Sequence, residues 1–298
     1  MDNLTIIQKG DASGNGMVAK FRLPSGLEII TLPTKNFYGG HWDLGPTWNY
    51  AVMTPKGYKQ QFPAKCWHCI MPASFFEENC LGYHRVLQNL DVECIGDGME
   101  KIDTNISSLH LPGHSPDSLA VMLGDEALIV GDVVLPDITP WPTRLEQYRE
   151  IANILAPLYP DAGALFGLNC YLNSLRELKR IADRRPDIMV FPAHRVYYHD
   201  QWQDIHLSER LHQLVEHHIQ RCGAILDILA TGKKGVDEIV RLHFNASLLA
   251  GPGEKMAANE IISHTELMLA CGDLKEVEKH HYAATGSQHF EQHITRNG

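Results

Sequence analysis

The sequence predicts a layered α/β fold followed by a small helical unit. Between residues 21 and 206, short apolar runs alternate with longer segments of helical spacing, a pattern typical of sheets covered by helices. From Leu207 onwards, successive helical patterns end in one short apolar stretch. A chain of 298 residues can bury a large core and a smaller second one. We therefore expect a first domain over residues 1–206 and a second over residues 207–298.

Strands, one helix and one hairpin are expected before residue 131. Gly-Asp-Glu at 124–126 separates two apolar runs and is typical of a tight hairpin turn. Apolar residues recur at roughly helical spacing from Met71 to Leu90, which predicts a helix. The predicted strands are Phe21–Leu32, Trp48–Met53, Val92–Ile95, Ile106–Leu111, Leu119–Leu123 and Ala127–Val130.

After residue 140 the predicted elements are mainly helical. We expect helices over Pro142–Leu158 and Leu175–Arg184, the second ended by Pro186, and then a buried strand over Ile188–Phe191. The last part of the chain predicts three further helices and a short strand or wing, namely Leu207–Leu229, Val236–Phe244, Ala257–Cys271 and Leu274–Tyr282. This order indicates a compact winged-helix-like domain.

The charge balance bears on what the protein binds. A net charge of -10 argues against a general polyanion binder, because phosphate contacts need lysine and arginine. Acidic residues also outnumber basic ones in the predicted C-terminal domain, which favours packing or homodimerisation over nucleic-acid binding. We expect a small-molecule substrate rather than RNA.

The chain also predicts a cellular compartment. The first 20 residues lack a basic start followed by an apolar run, and no apolar run approaches the length of a membrane span. Seven cysteines, an odd number without a visible signal, indicate reduced thiols. We expect a cytoplasmic protein that contacts no membrane.

Metal-binding side chains are expected at the ends of three apolar strands. His114 follows Pro-Gly after one strand, Asp132 follows Gly after another, and His194 follows Phe-Pro-Ala after a third. Imidazole and carboxylate groups are common ligands of transition metals. The sequence therefore predicts a metal site built from His114, Asp132 and His194.

With these motifs in hand, the chain resembles the metallo-β-lactamase-fold hydrolases. The resemblance is to the glyoxalase-II-like and ribonuclease-like branch, whose members carry a C-terminal winged-helix-like domain. LHLPGHSPDSL, LIVGDVV and FPAH resemble the family's third, fourth and fifth metal motifs, and Trp48–Val52 resembles its early Asn-x-Tyr-Leu-Val strand. The resemblance implies an αββα sandwich, with His114 on one zinc, His194 on a second and Asp132 bridging both.

The family's H-x-H-x-D-H signature is absent from this sequence. It should follow the strand that ends near Val52, but Met53 leads directly into TPKGYKQQFPAKCWHC. A missing strand–helix–strand block between Met53 and Thr54 would explain this and leave the sandwich incomplete. The resulting open sheet edge predicts dimerisation or aggregation unless residues 54–90 cover it.

Counting the remaining ligands decides how many ions to expect. A catalytic zinc usually holds three protein ligands, and a two-metal site needs about twice as many. The three residues that remain can hold a single ion, as facial triads do. We expect one Zn²⁺ rather than two, with iron or manganese as alternatives.

These observations lead to one main hypothesis and two alternatives. The main hypothesis is a hydrolase that cleaves an ester, thioester or related acyl bond of a small molecule with metal-activated water. Asp132 would be the catalytic residue that binds the metal and orients the water. The alternatives are a catalytically inactive relative that acts as a binding or scaffold protein, and an RNA-processing nuclease.

A second cluster of metal-binding residue types lies earlier in the chain. Cys66, Cys69, Cys80 and His84 have a spacing that can hold a structural zinc. Cys80 and His84 also fall in the predicted helix 71–90, and free cysteines are commonly buried packing residues. We favour packing over zinc binding for this cluster.

Overall fold

A computed structural model describes residues 4–8, 18–24, 26, 28–31, 50–53, 99–103, 106–114, 118–149, 162–192, 197–198, 201–251 and 253–297. Within these ranges the fold is mixed α/β, as predicted, with two sheets of four and five strands before residue 193. A run of helices with a small three-stranded sheet follows residue 206.

The first sheet is an antiparallel meander of four strands. These are β1 (Leu4–Gln8), β2 (Val18–Arg22), β3 (Glu28–Thr31) and β4 (Tyr50–Met53), paired in sequence order. The single strand predicted over Phe21–Leu32 is wrong. The chain turns between β2 and β3, where Gly26 has a φ of 85° and donates its N–H to the Leu23 carbonyl. Pro24 and Gly26 are strand-breaking residues, so they start a hairpin inside the apolar run.

The second sheet carries the two strands that precede His114 and Asp132. Its five strands pair in sequence order, and only the last pair is parallel. They are β5 (Met99–Asp103), β6 (Ile106–His110), β7 (Leu119–Leu123), β8 (Ala127–Gly131) and β9 (Met189–Pro192). The predicted hairpin β7–β8 is confirmed, with a turn at Gly124, whose φ is 56°.

Helix α1 (Leu168–Arg184) connects β8 to β9 and packs into the main core. It begins seven residues earlier than the helix predicted over Leu175–Arg184. Its buried face contains Leu168, Tyr171, Leu172, Leu175 and Leu178 at spacings of three and four residues. Burial of this face outweighs the weak helix propensity of the asparagine, cysteine and serine residues in the first turns.

The helical C-terminal part agrees closely with the prediction. Helix α2 (Leu207–Leu229) has the predicted bounds, whereas the other two predicted helices are shifted at their ends and the predicted wing is a full hairpin. A short pair of strands, β10 (Tyr197–Tyr198) and β11 (Gln201–Trp202), precedes α2. After α2 come β12 (Lys234–Gly235), α3 (Val236–His243), α4 (Gly253–Ala270), β13 (Leu274–Glu278), β14 (His281–Ala284) and α5 (Phe290–Asn297). The three strands pair in the order β12–β14–β13.

One hydrophobic core runs through both parts of the described chain. It joins residues of β6 to β9 and α1 to the buried faces of α2, α3, α4 and α5. Buried Asp273 fixes the last helix, because its two carboxylate oxygens accept the backbone N–H groups of His289 and Phe290. No helix of the described residues is long and apolar enough to cross a membrane.

Several predicted elements lie outside the described residues. They are the helix Met71–Leu90, the strand Val92–Ile95 and the part of the helix Pro142–Leu158 after residue 149; residues 145–149 are helical. The site of the proposed missing block, directly after Met53, is also outside them.

Candidate functional site

The topology of the second sheet brings three strand ends to one edge. β6 and β8 are both antiparallel to β7, so they run in the same direction. β9 is parallel to β8, with Gly131 paired to Pro192. His114 follows β6 and Asp132 follows β8, and both therefore lie beyond the carboxyl ends of their strands at this edge.

The structure places His114 and Asp132 side by side. His114 Nε2 lies 3.9 Å from Asp132 Oδ2, and about 15% of each side chain is exposed. This distance is too long for a hydrogen bond between the two groups. The pair therefore forms a small, partly buried site that opens to solvent and can accept a further group between its two polar atoms.

A backbone carbonyl sets the orientation of the His114 ring. His114 Nδ1 lies 2.9 Å from the carbonyl oxygen of Trp141. Because a carbonyl only accepts hydrogen bonds, Nδ1 carries a proton, and Nε2 is the ring nitrogen that faces Asp132. Metal-ligating histidines are commonly held in this way, which fixes both the tautomer and the ring direction.

The turn before His114 is fastened to the segment after residue 140. Gly113 has a φ of 128°, in a region that favours glycine. Its carbonyl oxygen accepts hydrogen bonds from Thr143 N at 2.6 Å and from Thr143 Oγ1 at 2.9 Å. The Thr143 hydroxyl in turn accepts the N–H of Gly167, just before α1. Thr143 thereby connects the His114 loop to the start of α1.

Helix α1 contacts both loops of the site. Tyr171 donates its hydroxyl to the Val133 carbonyl at 2.7 Å, and Ser174 donates its hydroxyl to the Pro112 carbonyl at 2.6 Å. Burial raises the pKa of the Tyr171 phenol, so the group stays protonated and remains a donor. Sequence reasoning missed both residues, because a hydrogen bond to a backbone carbonyl leaves no motif in the sequence.

The predicted site residues thus have different outcomes. His114 and Asp132 are brought together, whereas His194 lies outside the described residues. The cluster of Cys66, Cys69, Cys80 and His84 lies outside them too. In the described part of the chain, no group of three or more histidine, cysteine, aspartate or glutamate side chains is arranged to hold a metal ion.

The donor set of the pair fits a divalent transition metal. An imidazole nitrogen with its proton on the far side and a carboxylate oxygen are both ligands that zinc, iron and manganese accept. Two bonds of about 2.0–2.2 Å each would span the observed 3.9 Å only at an angle wider than tetrahedral, so the two donor atoms would come closer together when an ion binds. The pair can therefore supply two ligands to one ion and needs at least one more from elsewhere in the chain.

The described cysteines are unsuited to act as nucleophiles. Burial raises the pKa of Cys170 to about 12, and it raises the pKa of Cys222 further. Burial also raises the pKa of Cys271 to about 11. Since the thiolate is the reactive form, these three thiols are inert at neutral pH.

A second polar cluster lies inside the helical part, between α2 and α4. His264 Nδ1 donates to the Glu260 carbonyl at 2.6 Å, so His264 Nε2 accepts the proton of His218 Nδ1 at 2.9 Å. Both imidazoles are fully buried. His217 Nε2 and Arg221 Nη2 contact Glu260 Oε1 at 3.0 and 2.9 Å. His217 and His218 lie within the helix predicted over Leu207–Leu229, and the sequence pattern does not show these contacts.

Comparison with known proteins identifies the fold. No protein-family model and no curated protein matches the chain. A solved beta-lactamase domain protein from Burkholderia ambifaria matches with a TM-score of 0.51 and 24% identity, over 72% of this chain and 59% of that one. A metallo-beta-lactamase family protein from Thermus thermophilus matches with a TM-score of 0.46 and 21% identity, over 65% and 55%.

The first of these two matches bears on the fold. The likeness to the first of the two structures shows that the chain shares its mixed α/β fold. The chain spans between 55% and 59% of the length of these two structures.

Proposed function

We propose that this protein is a metal-dependent hydrolase that acts on an ester, thioester or related acyl bond of a small molecule. The observation that carries the proposal is the pair His114–Asp132, with Nε2 and Oδ2 3.9 Å apart at a sheet edge. We propose His194 as a third ligand, because it follows β9, whose carboxyl end lies at the same edge. One zinc ion, with iron or manganese as alternatives, suits this set of ligands.

The residues of the chain have separate roles in this proposal. When bound, the metal lowers the pKa of a water molecule and polarises the substrate carbonyl. His114, with Nδ1 bonded to the Trp141 carbonyl, would bind the metal through Nε2. Asp132 supplies a carboxylate oxygen that binds the metal and a group that orients the attacking water.

The C-terminal part supports a small-molecule substrate. We propose that it is a winged-helix-like domain, because a helix, a short strand, two helices and a β-hairpin follow one another and the three strands form one sheet. Winged helices often bind nucleic acid, but Glu276 and Glu278 lie on the hairpin and Glu254 lies on α4. These carboxylates would repel a phosphate backbone, so packing is the role we assign to the domain.

A hydrolysis assay with matched aspartate variants tests the proposal. The full-length chain, loaded with Zn²⁺, Mn²⁺ or Fe²⁺, is assayed on p-nitrophenyl esters, acyl thioesters and a single-stranded RNA. We expect metal-dependent cleavage of an acyl substrate, reduced by about 100-fold or more in Asp132→Asn. Asp227→Asn is the control, because Asp227 is exposed on α2, and it should leave the rate unchanged.

The other outcomes of this assay are equally informative. Cleavage of RNA alone would replace the acyl substrate with a nuclease function. Metal binding without turnover on any substrate would favour the non-catalytic alternative. That alternative is supported by the finding that only two candidate ligands come together among the described residues. Equal activity of Asp132→Asn and the unaltered chain would overturn the proposed site.

A further inference from the structure

We propose that Tyr171 and Ser174 of α1 are positioning residues that hold the His114 loop and the Asp132 loop at a fixed separation. This inference rests on the proposed function, since it assigns to α1 the task of keeping two metal ligands in place. It concerns residues that touch neither the metal nor the substrate and that act through the backbone of the two loops.

Tyr171 contacts both loops at once. Its hydroxyl donates to the carbonyl of Val133, the residue after Asp132. Its backbone lies under the other loop, because a Cβ placed on Gly113 would be 2.3 Å from Tyr171 Cα. Gly113 directly precedes His114. A single buried residue thus touches the chain beside each of the two ligands.

Ser174 provides a second attachment one turn later. Its hydroxyl donates to the Pro112 carbonyl at 2.6 Å, two residues before His114. Tyr171 and Ser174 are three residues apart on one helix, and an α-helix rises about 1.5 Å per residue. Because both donors belong to the same rigid helix, the helix fixes the distance between the carbonyls that they hold.

The contacts that Tyr171 and Ser174 make are supported by the helical part of the chain. The Tyr171 ring meets the ring of buried His218 edge to face, with the centroids 5.6 Å apart. Arg210, also on α2, donates to the carbonyls of Leu135 and Ile138 at 2.7 and 2.8 Å, further along the Asp132 loop. The phenol of Tyr171 therefore has little freedom to leave the Val133 carbonyl.

Removing either hydroxyl should leave His114 and Asp132 in the chain but hold their side chains less firmly in position. In Tyr171→Phe the ring still fills its place in the core, but the Val133 carbonyl loses its donor and the adjacent Asp132 can turn. In Ser174→Ala the Pro112 carbonyl loses its donor beside the His114 loop. Mutation of a residue that orients a metal ligand without binding the metal itself typically changes metal affinity by about 10–100-fold.

The test compares these variants with a control on the same helix. Leu178 is fully buried on α1 and contributes only packing, so Leu178→Ala destabilises the core without touching the two loops. For each full-length protein, Zn²⁺ affinity is measured by competition with a chromophoric chelator. In the metal-free proteins, ¹⁵N NMR of the His114 imidazole reports which ring nitrogen carries the proton.

Each result decides the matter. We expect Zn²⁺ affinity to fall by at least about 10-fold in Tyr171→Phe and Ser174→Ala, and to stay within about 2-fold of the unaltered chain in Leu178→Ala. We also expect the single Nδ1–H tautomer of His114 to become a mixture in the two hydroxyl variants only. Unchanged affinity and tautomer in both variants, or equal loss in Leu178→Ala, would overturn the inference.

The failure of the proposed function would look different. If the unaltered chain binds no Zn²⁺, the hydrolase proposal fails, while the tautomer measurement on the metal-free proteins still decides whether α1 positions His114.

Discussion

Gly113 shows at the level of one residue how this site depends on the backbone. It has a φ of 128° and lies against the Tyr171 backbone, where a Cβ would approach Tyr171 Cα to 2.3 Å. Cβ atoms do not tolerate such a contact, so only glycine allows the His114 loop to pass this close to α1. The sequence Pro-Gly-His predicted a loop at a strand end, and this close approach explains why the middle residue is glycine.

Gly113→Ala should therefore be strongly destabilising. The unfavourable φ and the clash with the helix backbone together predict a loss of roughly 2–5 kcal/mol in the free energy of unfolding. Gly124→Ala is the control, since Gly124 also has a positive φ of 56° but has no atom within 4 Å of an added Cβ. Gly124→Ala should lower the free energy of unfolding by only about 1–2 kcal/mol. Urea denaturation of the metal-free proteins measures both losses, and equal losses would show that contact with α1 is unimportant.

Sequence reasoning identified the two candidate ligands that the structure brings together, but not the groups that orient them. His114 and Asp132 are polar side chains that directly follow apolar strands, and this pattern is visible in the sequence. The Trp141 carbonyl and the Val133 carbonyl belong to the backbone, and every residue has such a group. Tyr171 lies before the helix predicted over Leu175–Arg184, so sequence reasoning assigned it to no element.

At the scale of elements, a buried histidine pair joins α2 to α4. Burial lowers the pKa of His218 well below its usual value, assisted by the positive charges of neighbouring His264, His217 and Arg221. Burial lowers the pKa of His264 to about 4, although Glu260 acts in the opposite direction. His243 on α3, whose pKa burial also lowers, accepts a hydrogen bond from Arg221 on the same side of the cluster.

This pair predicts that the protein loses stability in mild acid. Well above pH 6.5, the ordinary pKa of histidine, both imidazoles are neutral in the folded and the unfolded chain, so they contribute no pH dependence. Between pH 6.5 and about 4 the unfolded chain binds protons that the folded chain does not. As the pH falls through this range, each imidazole should therefore lower the free energy of unfolding by about 1.4 kcal/mol for each pH unit. Urea denaturation followed by circular dichroism across this range measures the slope.

Glu260 extends the same trend to lower pH. Burial opposes its ionisation, but the hydrogen bond from His217 and the neighbouring charges lower its pKa to about 2. The contribution of the ionised Glu260 carboxylate to the free energy of unfolding is present above pH 4.5 and is lost as the pH falls towards 2. The double variant His218→Leu/His264→Leu should flatten the slope between pH 6.5 and 4 while keeping this lower step. A flat profile in the unaltered chain would show that the pair is not buried as described.

The helices also show where local patterns suffice and where they fail. Helix α2 has the predicted bounds because a long amphipathic pattern ends near Gly232. Helix α1 begins at Leu168 instead of Leu175, because its first turns are stabilised by packing and by the bonds of Thr143, Tyr171 and Ser174. Contacts between residues distant in sequence decide such boundaries, and a local pattern does not contain them.

At the scale of the whole molecule, the two predicted domains share one core. The hydrophobic core extends from the second sheet through α1 to the C-terminal helices. Polar contacts connect them as well, since the Glu266 carboxylate on α4 accepts the backbone N–H groups of Leu145 and Glu146 at 2.8 and 3.0 Å. The sequence predicted the order of the elements from Leu207 onwards, but such packing depends on residues far apart in the chain. The candidate site is therefore supported by the C-terminal helices as well as by the second sheet and α1.

The central claim is that His114 and Asp132 bind a metal ion, and elemental analysis tests it most directly. The full chain, purified without chelator, should carry about one transition-metal ion per molecule. His114→Ala, Asp132→Asn and His194→Ala should each lose most of that metal. His212→Ala, which removes an exposed histidine of α2, should retain it. Metal in far fewer than half of the unaltered molecules, or full retention in His114→Ala and Asp132→Asn, would contradict the account.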